Sequence, residues 1–315
     1  MWKFVVKRLL LTIPIIIAVI FVVFTLLHFA PGDITMQLLG TKWTPEAAET
    51  LRHELGIDQP FMTQFINYIK GIVQGNFGIS YISRESVTNM LAVSMPNTIY
   101  ILITSVVLSI VISIPIGILA ALKPNSVFSG ITTAFSLIGV SAPSFWIGLL
   151  LILLLSLRLK WLPASGLESF SALIMPSVVM SLSHLAALSR TTRSSMIESL
   201  RMDYIRTARA KGVKKKDIVL KHALRNALMP TVSLVGFIIG EMIGGATVVE
   251  TIFGISGMGR LLVESVNKRD INVVLGCVTM MAICVAVISI VTDVAFAYLD
   301  PRIKAQYVSG GKSNG

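Results

Sequence analysis

RTARAKGVKKKDIVLKHALRNALMP, residues 206–230, carries eight of the chain's 27 Lys and Arg, with apolar runs on both sides. A basic island between apolar runs is the pattern of a membrane protein's cytoplasmic loop, because Lys and Arg accumulate on the side that is not translocated. The whole chain agrees: of 315 residues, 54% are hydrophobic and only 14% charged, too apolar for an ordinary soluble domain. The net charge of +11 does not point to nucleic acid, since the basic residues gather in the gaps between apolar runs rather than over one soluble face.

Working outward, six segments are long enough to cross about 30 Å of hydrocarbon: residues 9–29, 98–122, 131–157, 171–189, 229–250 and 272–298. The expected fold is an all-α polytopic membrane protein with six transmembrane helices. The fourth span contains Pro176 and His184, which predicts a short or kinked crossing. The first begins after Lys3, Lys7 and Arg8 as a signal peptide would, but it runs from Leu9 to Phe29 without a small-residue cleavage site and reads as a span. An even number of spans puts both termini on one side. That side holds 18 of the Lys and Arg against nine on the other, so both termini and the basic segment are cytoplasmic. The expected divisions are residues 1–93, a first span with an external cap region; 94–299, a membrane core with its cytoplasmic loop at about 190–228; and a cytoplasmic tail at 300–315.

The external segment 30–97 carries helix signals of its own. Thr44 followed by Pro45 reads as an N-cap and first-turn proline, and Gly56 as the stop. A second helix over about 60–73 places Phe61, Phe65, Tyr68, Ile69 and Ile72 on one side. Trp161 beside Lys160 fits an interfacial anchor.

Sites for chemistry are few. The four histidines are scattered without metal-ligand spacing, so neither a metal site nor an enzyme is expected. GGKS at 310–313 imitates the end of a phosphate loop, but the first glycine of that pattern would fall at Gln306, and no strand or following helix is available. Cys277 and Cys284 stand seven residues apart in one apolar run, about 10 Å along a helix, too far to bridge. Two acids, Glu241 and Asp293, lie within spans and must face the bundle interior, a water-filled cavity or an interface. Glu241 stands among Gly236, Gly240 and Gly244, a four-residue repeat that permits close helix packing or a narrow lumen; the sequence leaves both readings open.

The basic segment itself reads as helix, glycine turn, helix. Ile197, Leu200, Tyr204 and Ala208 are at helical spacing, and Gly212 breaks them. From Asp217, the residues Val219, Leu220, Ala223, Leu224, Ala227 and Leu228 form an apolar stripe opposite Lys221, His222, Arg225 and Asn226, and Pro230 then opens the fifth span. A loop resting on anionic lipid needs only the charge. A short helix held rigidly to a transmembrane helix is what would carry a push from a soluble partner into the bilayer.

The segment resembles the cytoplasmic coupling loop of ABC importer permeases of the dipeptide and oligopeptide branch. The likeness extends along the chain through RLLLTIPIIIAVIFVVFTLLHFAPGD at 8–33, IKGIVQGNFGISY at 69–81, RTTRSSMIESL at 190–200, VVETIFGISGMGRLLVESVNKRD at 248–270 and LDPRI at 299–303. The resemblance implies a type I importer permease fold in the cell membrane of a prokaryote. Two homologous permease subunits would form the pathway, two ABC ATPase subunits would dock beneath, and an external solute-binding protein would deliver peptides. ATP and Mg would belong to the ATPases, with no cofactor in this chain and no nucleic acid partner. It also implies that Arg206, Thr207, Ala208, Arg209, Ala210, Lys211 and Gly212 couple to the ATPase. In such a permease the narrow-lumen reading of the glycine repeat makes Gly236, Gly240, Glu241 and Gly244 the candidates for the translocation pathway. One departure is that the general importer loop has Glu-Ala-Ala where this chain has Arg206, Thr207 and Ala208. Nickel or metal-chelate import with the same architecture is an alternative. A secondary transporter driven by an ion gradient is another, although it would show an inverted repeat and several intramembrane charges.

Overall fold

The computed structural model describes residues 2–30 and 32–299. In chain order, α1 runs Trp2–His28, α2 Ile34–Leu39, α3 Pro45–Leu55, α4 Phe61–Val73, α5 Val87–Leu122 and α6 Val127–Ser141. Then follow α7 Ser144–Arg158, α8 Phe170–Arg201, α9 Asp203–Ala210, α10 Lys215–Ile252, α11 Met258–Asn267 and α12 Ile271–Leu299. Among the described residues five helices are long and apolar enough to cross a membrane: Arg8–His28 of α1, α5, α8, α10 and Ile271–Val294 of α12.

The expected span at 131–157 is two helices instead of one. Proline lacks the N–H that a continuing helix needs and drives its predecessor out of the helical region. The chain accordingly breaks at Ala142 and Pro143, with Pro143 extended at φ −61° and ψ 133°. Pro176 and Pro230 have the opposite outcome and sit inside unbroken α8 and α10. The fourth span is therefore part of a 32-residue helix rather than a short one. Pro230 lies within the fifth and does not open it. The tail at 300–315, with its GGKS, lies outside the described residues.

The described residues fall into two compact units. The first comprises Leu9–Thr98 and Ser256–Ala286. Here the aromatic face expected of α4 is filled: Phe61 and Phe65 meet Phe21 and Phe24 of α1 edge-on, with ring centroids 5.2 to 5.9 Å apart. The α3 signals also hold. Thr44 Oγ1 accepts from the Ala47 N–H at 3.2 Å, and Gly56 closes the helix at φ +66°. Phe77, Val87, Leu91, Met258, Val273 and Cys277 form this unit's buried core.

The second unit comprises Ile99–Ile255 with the described residues of 1–8 and 287–299. Its helices approach closely at small residues. A Cβ on Gly117 of α5 would lie 2.6 Å from Thr192 Cβ and 2.8 Å from the Ser189 carbonyl of α8. Hydroxyls pair between the spans, where no water is available: Thr104 with Ser177 at 2.7 Å, and Thr192 with Thr231 at 3.1 Å; the buried Ser113 hydroxyl of α5 has no such partner among the described residues. The buried Oδ2 of Asp293 has no hydrogen bond among the described residues but has an ion-pair partner. Its carboxylate lies 3.2 Å from Arg8 Nε, an ion pair joining the first and last helices.

Candidate functional site

The basic segment folds around a small apolar core. Buried Ala121 of α5, Met196 of α8, Ile205 and Ala208 of α9, and Ile218, Val219, Ala223 and Ala227 of α10 form one cluster, with Val213 packed against it. Ile205 is fully buried and Ala208 is 7% exposed. Their spacing of three residues puts both on one face of α9. The opposite face is solvent-facing: Arg206, Thr207, Arg209, Ala210 and Lys211 are all exposed. Arg206 pairs only loosely, at 3.5 Å, with the exposed Asp203.

The end of α9 is set by Gly212. Its φ of +75° is left-handed, a conformation that costs an L-residue with a Cβ about 1–2 kcal/mol. The Gly212 N–H donates to the Arg209 carbonyl at 3.0 Å, and the Val213 N–H to the Ala208 carbonyl at 3.1 Å. This paired closure, with Val213 and Ala208 in the same cluster, is the Schellman arrangement that satisfies a helix's last carbonyls. The chain then turns straight into α10, and Asn226 Nδ2 donates to the Tyr204 hydroxyl at 3.0 Å to tie the two helices. Of the seven residues singled out at 206–212, six are exposed and Ala208 alone is an inward anchor.

Local details differ from the sequence reading in three ways. The helical spacing through Ile197, Leu200, Tyr204 and Ala208 is interrupted at Met202, where ψ is 151° and α8 ends. That break turns Ile205 into the core and leaves Tyr204 39% exposed. The second helix begins at Lys215, two residues before Asp217. Its stretch Ile218–Ala223 is π-helical, so Ile218 and Val219 are both buried while Leu220 is 46% exposed. A π-helical segment shifts the face that a helix presents, which no simple helical period would foretell.

In the span of α10 the glycine repeat divides. Gly236 is closed off, since a Cβ there would fall 2.1 Å from Thr292 Cγ2 of α12; Gly244 and its neighbour Gly245 meet nothing within 4 Å. Gly240 is half-buried. Glu241 is exposed, on one helical stripe with Ser233, Phe237, Gly244 and Val248. Among the described residues no three His, Cys, Asp or Glu side chains gather as a metal site requires.

Two family models match this chain. One is described as "Binding-protein-dependent transport system inner membrane component", over residues 113–305; the other as "Binding-prot-dependent transport system membrane comp, N-term", over residues 1–102. The chain is similar to the oligopeptide transport system permease protein AppB of Bacillus subtilis, at 36% identity over 96% of this chain and 100% of that protein. It is similar also to the glutathione transport system permease protein GsiC of Escherichia coli, at 38% identity over 96% of this chain and 99% of that one. Among solved structures, the inward-facing MetNI methionine ABC transporter matches with a TM-score of 0.53 and 17% identity, over 67% of this chain and 96% of that chain. At that identity the likeness speaks to the fold.

Proposed function

Because this chain belongs to the family of binding-protein-dependent transport system inner membrane components, we propose that it forms half of the membrane pathway of an ATP-driven importer of short peptides. The chain is the permease subunit and not the ATPase; ATP hydrolysis and solute capture belong to ATPase and binding-protein partners. The peptide assignment is supported by the whole-length similarity to an oligopeptide and a glutathione permease.

In this reading a second, homologous permease completes the pathway in the bilayer and two ATPase subunits dock below. The observation that carries the reading is α9. It presents Arg206, Thr207, Arg209, Ala210 and Lys211 outward while Ile205 and Ala208 seat it on α5, α8 and α10. A displacement of α9 by a docked ATPase therefore moves membrane helices and not merely a loop, which is the differential packing any ligand-driven switch needs. Gly212 fixes the turn that makes the seating rigid. Glu241 and Gly244, with Gly240 at their edge, line the pathway on the open stripe of α10, and Gly236 is the packing member of the series. The first 93 residues supply a first span and external cap, 94–299 the permease core, and 300–315 a cytoplasmic tail.

The test is uptake. Cells lacking this chain should fail to accumulate labelled di- and tripeptides and should regain uptake when it is restored. Undiminished peptide uptake alongside loss of a metal chelate would overturn the peptide assignment and keep the importer.

A further inference from the structure

A cavity of about 850 Å³ lies in the unit formed by Leu9–Thr98 and Ser256–Ala286, and no residue of the α10 stripe lines it. Its volume is within the roughly 300–1,000 Å³ of small-molecule sites. One wall is apolar, with Phe24, Leu27, Leu55 and Leu275. The polar groups are unevenly committed. Asp33 is spoken for by Thr35 and by Arg52, so that pair contributes no free charge. Arg269, which also lines the cavity, has no hydrogen bond or ion pair to its guanidinium among the described residues.

The backbone at that arginine is fixed by its neighbours. Its backbone is left-handed, φ +53°, and its neighbour Asp270 is buried, accepting from the Ser80 hydroxyl and from the Tyr81 N–H at 3.2 Å. Gln37 Nε2 donates to the carbonyl of Lys268 at 2.8 Å. The guanidinium lies over Gly32, where a Cβ would come 2.2 Å from Nη1. Opposite in chemical character are two amides. Gln64 gives its Nε2 hydrogens to the Ile57 and Gln59 carbonyls, and Asn67 gives one to Gln59, which leaves the amide oxygens of Gln64 and Asn67 as acceptors. Burial pushes the Tyr68 phenol up to about 12, with its hydroxyl on Thr279, and raises Tyr81 as well, so neither adds a negative charge to the cavity.

We propose that this cavity is an external receptor for short peptides, which holds the C-terminal carboxylate on Arg269 and the apolar side chains on the Phe24 and Leu275 wall. The free amide oxygens take peptide N–H or ammonium groups. A guanidinium engages a carboxylate with two parallel hydrogen bonds, the geometry that gives such pairs their selectivity. Among the described residues that line the cavity, one arginine without an ion pair, set against neutral acceptors, suits a zwitterionic peptide better than a phosphate headgroup, which would call for several cations. The inference rests on the peptide reading of the transported solute and adds a binding step on the chain itself.

The experiment measures equilibrium binding of radiolabelled tri-leucine and of its C-terminal amide to the full chain, with the subunits that copurify with it but no binding protein, in lipid nanodiscs. The amide should bind about tenfold more weakly than the acid, as expected for loss of a charge-assisted pair. Arg269→Gln should weaken the acid by a similar factor and leave the amide unchanged, while Arg269→Lys, retaining charge without the fork, should fall between. Equal binding of acid and amide, an Arg269→Gln variant that binds the acid as before, or no saturable binding up to millimolar peptide would each overturn the proposal. Uptake of tri-leucine by cells, measured in parallel, separates the two readings. Import without carboxylate-dependent binding leaves the importer standing and removes the receptor; binding without import does the reverse.

Discussion

A methyl group added at Gly236 would come within 2.1 Å of Thr292 Cγ2, whereas one added at Gly244 would meet nothing within 4 Å. Overpacking of a closed helix contact costs about 1–3 kcal/mol, so Gly236→Ala should lower the thermal unfolding temperature of the detergent-purified chain. Gly244→Ala should leave it unchanged or slightly raised, as alanine's helix preference would have it. Equal effects at the two sites would show that they share one environment. The sequence makes the two glycines look equivalent because a four-residue period lists neighbours along a helix but not what lies across from each. Thr292 is some fifty residues away, and its approach to Gly236 belongs to tertiary packing. A second residue-level effect concerns Asp33. Burial alone would raise its carboxyl, but the hydrogen bonds from Thr35 and the Arg52 guanidinium outweigh it and hold the group below its ordinary value of 3.8. A depressed carboxyl stabilises the fold above the unfolded value and loses that contribution as pH falls through the folded one. Unfolding of the cap, followed by the fluorescence of Trp43, whose Nε1 donates to Thr35, should therefore become easier below about pH 4. In Asp33→Asn that part of the acid sensitivity should vanish; an unchanged pH profile in the variant would remove Asp33 from the account.

At the scale of the element, α9 and its turn were largely legible in the sequence, and for a local reason. Gly212, the apolar Ala208 and the surrounding basic residues lie within one turn of each other, so composition and spacing report the closure directly. Three features were not legible. The break at Met202 has no proline or glycine to announce it, the π-helical stretch Ile218–Ala223 departs from any single period, and Pro143 breaks its span while Pro176 and Pro230 do not. Each outcome depends on whether neighbouring helices satisfy the freed backbone groups, which lies beyond local sequence. The closure gives a two-part prediction. A Cβ at Gly212 meets no neighbour, so Gly212→Ala strains only the left-handed backbone, by about 1–2 kcal/mol. Ala208→Leu instead drives a bulky side chain into the cluster that seats α9, at about 1–3 kcal/mol. Both variants should still insert in the membrane yet show reduced peptide uptake per ATP hydrolysed, with the larger loss at Ala208→Leu. Measurement of uptake and ATPase activity on the same reconstituted complex checks this. Wild-type coupling in both variants would take from α9 the role assigned to it.

For the whole molecule, the stripe of α10 is an unfinished surface. Phe237 is 69% exposed, Val248 is 42% exposed, and Glu241 stands between them in the middle of a span. A carboxylate at the centre of a bilayer costs about 2.5–3.5 kcal/mol on insertion scales. Lipid gives no compensation for that, so the stripe needs either water or another protein against it. The proposed water-lined pathway, closed by a second permease, would supply both. Extraction in mild detergent followed by native mass spectrometry should accordingly find this chain with one homologous permease and two ATPase subunits. Glu241→Leu, which removes the need for water, should leave that assembly intact while it reduces peptide uptake several-fold. Recovery of the chain alone from several mild detergents would mean that no partner subunit covers the stripe, and the half-pathway reading would fail. Intact assembly with unchanged uptake in Glu241→Leu would keep the subunit composition and move the pathway to another face of the bundle.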